Sequence, residues 1–93
     1  MLHIGVLQFS LEIPWATSLK DKRRVLRSLK DRTRQYNVSV AEIDDHDQWT
    51  LATLGAVIAG TDVPYINGAL DKYLEVLRAL PDAQLVDHQL EIL

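Results

Sequence analysis

The sequence predicts one α+β domain over residues 1–93, with its elements in the order βαββαβ. Four segments alternate side chains with the two-residue period of a strand, and two segments repeat apolar residues at helical spacing. Proline, asparagine or a polar cluster lies at the boundaries between them. A chain of this length buries only about 60% of its unfolded surface, so the core is modest and a partner would extend it.

The first part of the chain predicts a strand followed by a helix. Residues 4–13 alternate as a strand, and Pro14 ends that strand. Ser18 is a suitable helix N-cap, and Asp21 follows three residues later, where a carboxylate stabilises a helix N-terminus. Leucine, lysine and arginine residues then continue the helix to about Gln35.

The middle of the chain predicts two strands joined by a polar turn. Residues 37–43, NVSVAEI, are rich in β-branched side chains and predict the second strand. The polar sequence DDHDQ follows as a turn, and residues 49–59, WTLATLGAVIA, predict the third strand.

The last part of the chain predicts a helix and a final strand. Pro64 suits a first helical turn, and the apolar residues after it repeat at helical spacing as far as Pro81. Asn67-Gly68 could instead mark a hairpin, but its flanks have a period near 3.6, so we retain the helix. Residues 83–93, AQLVDHQLEIL, alternate as the fourth strand.

This element order consists of two βαβ halves, whose right-handed crossovers place both helices on one face of a four-stranded antiparallel sheet. The arrangement is ferredoxin-like, with the first and third strands in the centre and one sheet face without helices. Both central strands carry apolar side chains on both faces, and a large bare apolar face commonly marks an interface. We therefore expect a homodimer joined sheet to sheet. The expected interface residues are Leu7, Phe9, Leu11, Leu51 and Val57.

Positive charge is concentrated in residues 18–34, SLKDKRRVLRSLKDRTR. This segment holds eight of the ten basic residues and two acidic ones, so it carries +6 and the rest of the chain −9. A helical projection places six cations on one side, opposite the apolar residues: Lys20, Arg23, Arg24, Arg27, Lys30 and Arg34. Lys22 projects toward the apolar side, where we expect its stem to lie on apolar surface while its ammonium reaches water.

A run of charges is commonly only a solvated helix face. Clustered arginines, however, repel one another without a counter-anion, which favours a partner. Three partners are open: nucleic-acid phosphates, an acidic protein surface, or the chain's own acidic remainder. Our leading interpretation is that the six cations contact the phosphates of RNA or DNA.

Two motifs resemble a known family over nearly the whole chain. SLKDKRR supplies Ser18, Leu19, Lys20, Lys22 and Arg23, and SVAE supplies residues 39–42, with Asp47 and Trp49 following. With these residues the chain resembles the YlxP-like family of small bacterial proteins, a domain family of unknown function. The resemblance implies a ferredoxin-like fold and no known active site. Its members are often encoded beside transcription, translation-initiation and ribosome-maturation factors, which implies an association with RNA or the ribosome.

No motif predicts catalysis or a cofactor, so we expect a protein that is not an enzyme and carries none. The chain has no cysteine, which excludes a disulfide framework, a thiolate nucleophile and a cysteine metal cluster. The first connection, EIPWATS, lacks the glycine and arginine of the phosphate cradle used by ferredoxin-like acyl phosphatases. Neither G-x-x-x-x-G-K-[ST] nor G-x-G-x-x-G occurs.

Three further groups of residues have both a functional and a structural interpretation. The turn of Asp44, Asp45, His46 and Asp47 could supply part of a cation site, but strand alternation separates neighbouring side chains, so we expect a solvated turn and no metal. His3 and His88 could meet across the sheet as a structural pair. Trp15 and Trp49 could each stack on a base, although covering a helix end and a sheet edge is favoured.

The N-terminal segment predicts no targeting or membrane insertion. MLHIGVLQFSLEI lacks the basic region and the small-residue cleavage site of a signal peptide, and no apolar run approaches the ~20 residues of a membrane span. Together with the absence of cysteine, this predicts a cytoplasmic protein without a membrane partner.

Overall fold

The computed structural model describes residues 1–93 and contains four strands and two α-helices in the predicted order. The elements are β1 His3–Glu12, α1 Leu19–Thr33, β2 Ser39–Asp44, β3 Leu51–Gly60, α2 Val63–Arg78 and β4 Gln84–Ile92. The strands form one antiparallel sheet in the order β2-β3-β1-β4. The predicted ferredoxin-like α+β arrangement, with the first and third strands in the centre, is confirmed.

Reciprocal hydrogen bonds fix the start of α1. The Ser18 hydroxyl accepts from the Asp21 backbone N–H at 3.2 Å, as expected of an N-cap. The Asp21 carboxylate in turn accepts from both the backbone N–H and the hydroxyl of Thr17, at 3.0 and 3.1 Å. The hydrogen bond from the Thr17 backbone lowers the pKa of the Asp21 carboxyl below its usual value of 3.8.

The end of α1 is anchored to α2 through a buried tyrosine. Thr33 donates to the Leu29 carbonyl at 2.7 Å, and its hydroxyl lies 2.8 Å from the Tyr73 hydroxyl. The chain then forms a short 3₁₀ helix, Arg34–Tyr36, and Asn37 adopts a left-handed conformation with φ 51°. Asparagine tolerates that conformation, so the helical segment ends close to where the sequence predicted.

Apolar side chains from the helices and from one sheet face form a core of 18 buried residues. Gly5 of β1 lets α2 approach the sheet closely. A Cβ at this position would lie 2.5 Å from Ile66 Cγ2 and 2.8 Å from Leu70 Cδ1, and both of these side chains are fully buried. Gly5 therefore sets the distance between α2 and the centre of the sheet.

The core contains three residues that were expected at a dimer interface. Leu7, Phe9 and Leu11 are at most 2% exposed and pack beneath the helices, so their assignment to the open sheet face is wrong. Both faces of the central strands carry apolar residues, and alternation alone does not show which face the helices cover. Val57, 42% exposed, and the half-buried Leu51 do lie on the open face.

The open sheet face has an apolar part and an acidic part. Its exposed apolar side chains include Ile4, Ile43 and Val57, on β1, β2 and β3. Asp87 and Glu91 lie on the same face, on the edge strand β4. The apolar side chains thus lie on three adjacent strands. The acidic residues of this face lie on β4 and also at one end of the sheet, where Glu12 of β1 pairs with Leu51 and Asp44 of β2 pairs with Thr53. No helix in the structure has the length and apolar character needed to cross a membrane.

Candidate nucleic-acid interface

Six exposed cations follow the outer side of α1 and its continuation, as the sequence predicted. We call these residues the basic stripe: Lys20, Arg23, Arg24, Arg27, Lys30 and Arg34. Only Arg34 forms an ion pair, with Asp31 at 3.5 Å, and both of these side chains are largely exposed. No other salt bridge in the structure involves the stripe, so the chain's own acidic residues compensate its charge only in part.

Part of the stripe borders a groove between α1 and the edge strand β2. Arg23, Arg27 and Lys30 line this groove, which we call the basic groove, together with Leu26 and Glu42. Their i, i+4, i+7 spacing places the three cations along one flank of the helix. The outer edge of β2 has no neighbouring strand, so no further strand covers this side of the groove.

Lys22 does not belong to this surface. Its side chain is 2% exposed, and Nζ donates to the carbonyl oxygens of Asp45 and Leu51 at 2.8 and 3.1 Å. Nζ also lies 2.8 Å from Glu42 Oε2. The expectation that this ammonium reaches water is wrong, because the β2–β3 connection folds over the first turn of α1 and supplies oxygen partners.

The Lys22–Glu42 ion pair connects the two motifs that carried the family resemblance. Lys22 comes from SLKDKRR and Glu42 from SVAE. Glu42 Oε2 is buried and has no well-aligned hydrogen bond, so charge compensation by Lys22 is its main stabilisation. A basic and an acidic residue, each at a core-facing position of its element, are the sequence signal that would have predicted this pair.

The acidic turn after β2 is held by internal hydrogen bonds. Asp45 has a left-handed backbone, φ 58°, and its carboxylate accepts from the Thr53 hydroxyl at 2.6 Å. Asp44 accepts from the Asp45 backbone N–H at 2.7 Å. No three acidic or histidine side chains in the chain are grouped so that they could hold a metal ion.

The two histidines do not meet across the sheet. His3 of β1 lies opposite Gly60 of β3, whereas His88 of β4 lies opposite Phe9 of β1. His3 and Phe9 are six residues apart on one strand, which is about 20 Å. The structure therefore excludes a contact between His3 and His88, which strand order alone could not decide because it does not give the register.

The two tryptophans are both about half exposed, and neither lines the basic groove. Trp15 donates from its indole N–H to the Asp82 carbonyl at 2.8 Å, which ties the β1–α1 connection to the α2–β4 connection. Trp49 precedes β3 and makes no side-chain hydrogen bond. Trp15 thus has a structural role of its own.

Comparisons with known proteins place the chain in a family. A family model described as "Protein of unknown function (DUF503)" matches residues 4–90. No curated protein sequence matches significantly. Among solved structures, the "De novo designed protein Foldit4" aligns with a TM-score of 0.59 and 9% sequence identity, over 100% of this chain and 97% of the designed one. This likeness shows the fold alone. The YlxP-like resemblance is compatible with the family match, and the chain belongs to the DUF503 family.

Proposed function

We propose that this protein is a non-enzymatic, cytoplasmic accessory factor that binds RNA, free or in the ribosome, through the basic stripe. One observation carries the proposal: six cations are exposed on one side of a helix, and five of them form no salt bridge within the protein. Like charges at i, i+4 destabilise a helix by a few tenths of a kcal/mol per pair, and a polyanion removes that repulsion.

The type of cation supports phosphate as the ligand. Four of the six stripe residues are arginines, whose planar guanidinium groups bind phosphate oxygens in a bidentate manner. From Arg23 to Arg34 the helical rise spans about 16 Å, which extends past a single phosphate group. A chain with net charge −3 binds a polyanion only where positive charge is local, so binding would be confined to this side.

The resemblance to proteins encoded beside translation factors favours RNA over an acidic protein as the partner. A binding experiment with purified RNA distinguishes these two partners. An RNA ligand would be retained without any second protein, whereas an acidic protein partner would leave purified RNA unbound.

Fluorescence anisotropy with a labelled single-stranded RNA of mixed sequence, in buffer of low ionic strength, tests the proposal. Arg24→Glu combined with Arg27→Glu should abolish binding, because each reversal replaces a phosphate contact with repulsion. Arg78→Glu is the control for Arg27→Glu. Each substitution changes the net charge by two, but Arg78 lies on α2, outside the stripe. Only Arg27→Glu should weaken binding strongly. The proposal would be contradicted if the unmodified protein left the RNA unbound at low salt, or if the two variants had equal effects.

We also propose that the open sheet face joins a second copy of the chain. Its exposed apolar side chains lie on β1, β2 and β3, and Asp87 and Glu91 lie on β4. Two further acidic residues, Glu12 and Asp44, lie at the end of the sheet away from Ile4 and Val57. A two-fold axis parallel to the strands and beneath β3 would pack the apolar parts together and keep the two acidic β4 edges apart. This geometry leaves both basic stripes on the outer sides of the dimer.

Sedimentation equilibrium at micromolar concentration tests the dimer. Val57→Asp should give a monomer, because it would bury an unpaired carboxylate at the interface. Gln89→Asp adds the same charge on the same face, but on the acidic β4 edge, and should remain a dimer. A monomer mass for the unmodified protein would defeat the idea.

A further inference from the structure

A second groove lies between the 3₁₀ helix that follows α1 and the first half of α2. Its volume is about 380 Å³, within the range of small-ligand sites. We call it the interhelical groove, and its lining residues are Gln35, Tyr36, Asn37, Tyr65, Gly68, Ala69 and Lys72. None of them was singled out as a binding residue from the sequence, because the groove joins segments about thirty residues apart.

Two tyrosines give the interhelical groove aromatic walls. Tyr36 packs edge-on against the fully buried Tyr73, with ring centroids 6.2 Å apart and an interplanar angle of 62°, which holds its ring in place. Tyr65 is 57% exposed in the first turn of α2, on the same helix flank as Gly68 and Ala69. Aromatic side chains that line a groove are surfaces on which proteins can stack unpaired nucleobases.

Gly68 opens the floor of the groove. A glycine inside a helix costs about 1 kcal/mol relative to alanine, so its presence calls for a packing reason. A Cβ at Gly68 would meet no atom within 4 Å, whereas one at Gly5 or Gly60 would meet Ile66. Nothing in the folded chain therefore needs this glycine, and the space above its backbone is free for a flat ligand to approach.

The polar groups of the groove suit a nucleotide. Gln35 and Asn37 contribute amides that can hydrogen-bond the edge of a base, and neither side chain is engaged with another residue. Lys72 contributes an ammonium without an ion-pair partner, and no acidic residue lines the groove. Arg34 of the basic stripe directly precedes Gln35, so the two surfaces adjoin at the end of α1.

We propose that the interhelical groove takes one unpaired nucleobase of a single-stranded RNA whose phosphates follow the basic stripe. The base would stack on Tyr65 and Tyr36 over Gly68, and Lys72 would contact its phosphate. That the base belongs to an RNA rests on the proposed function. Whether the groove binds a base at all can be tested separately with free nucleotides. A base held inside a duplex cannot enter, so single strands should bind more tightly than duplexes of the same length.

The experiment is an amide NMR titration of the full chain with AMP and UMP, followed by anisotropy with the single-stranded RNA. The nucleotides should shift the amide signals of Gly68, Ala69 and Lys72. Tyr65→Ala should weaken RNA binding about 5-fold to 150-fold, the range that corresponds to one lost base stack, and Tyr65→Phe should retain it. Gly68→Ala should weaken binding while raising the melting temperature, which separates loss of the site from loss of the fold.

The outcomes distinguish this proposal from the RNA-binding function. If nucleotides shift the Gly68 amide but RNA is not retained by the stripe, the groove is a nucleotide site and the proposed function fails. If Arg27→Glu abolishes RNA binding while nucleotides shift no groove amide and Tyr65→Ala and Gly68→Ala bind as the unmodified protein does, the nucleobase site is overturned and the function stands.

Discussion

At the scale of single residues, Lys22 shows what a helical projection can predict and what it cannot. The projection correctly placed Lys22 on the apolar side of α1, apart from the six cations of the basic stripe. It could not supply the oxygens of Asp45, Leu51 and Glu42, because they come from another part of the chain. This ammonium can be buried because each of its three N–H donors has an oxygen partner.

Removing the Lys22 ammonium should destabilise the fold. Lys22→Met leaves the Glu42 carboxylate and two carbonyl oxygens without their partner, which should cost about 3 kcal/mol of unfolding free energy in a urea titration. Adding Glu42→Gln should restore part of the loss, because it removes the unpaired charge. The exposed neighbour Lys20→Met is the control and should change stability by no more than about 0.5 kcal/mol. Equal stability of Lys22→Met and the unmodified protein would contradict this account.

The hydrogen bonds of the Asp21 carboxylate should make the free energy of unfolding depend on pH in acid. Its folded pKa is lowered by the Thr17 backbone hydrogen bond, relative to an ordinary value of 3.8. Its contribution is therefore present above pH 3.8 and is lost as the pH falls through the lower folded pKa. The stability difference between the unmodified protein and Asp21→Asn should accordingly shrink below pH 3.8 in urea unfolding. A difference that stays constant or grows with acid would show that Asp21 does not titrate in this way.

At the scale of elements, the sequence predicted all six helices and strands, and the differences lie at their ends. The first helix was expected to reach about Gln35, whereas α1 ends at Thr33 and a 3₁₀ helix follows. The third strand begins at Leu51, two residues after the predicted start at Trp49. These ends depend on tertiary contacts, such as the Thr33–Tyr73 hydrogen bond, that local propensity does not contain.

Two glycines in regular elements should respond to alanine in opposite directions. Gly5→Ala would force a methyl group against Ile66 and Leu70 and should cost about 1–3 kcal/mol. Gly68→Ala meets no atom within 4 Å and should gain about 0.5–1 kcal/mol from helix propensity. Thermal unfolding of both variants measures the difference. A Gly5→Ala protein at least as stable as the unmodified one would refute the close packing of α2 on β1.

At the scale of the whole molecule, the sequence predicted the topology. It was less informative about which surfaces remain exposed in the folded chain. Alternation with apolar residues on both sides predicted buried central strands, yet it did not show that Leu7, Phe9 and Leu11 face the helices. The basic stripe was predicted because it lies within a single helix. The interhelical groove was not, because it exists only once residues 35–37 and 65–72 are brought together by folding.

The central claim, that the basic stripe binds RNA phosphates, is tested most directly by the salt dependence of single-stranded RNA affinity. Each phosphate neutralised contributes about −0.7 to the slope of log K against log salt, so six contacts predict a slope near −4. Arg27→Glu should make the slope less negative by roughly one contact, and Arg78→Glu should leave it unchanged. A slope near zero, or one that Arg27→Glu and Arg78→Glu change equally, would contradict the account.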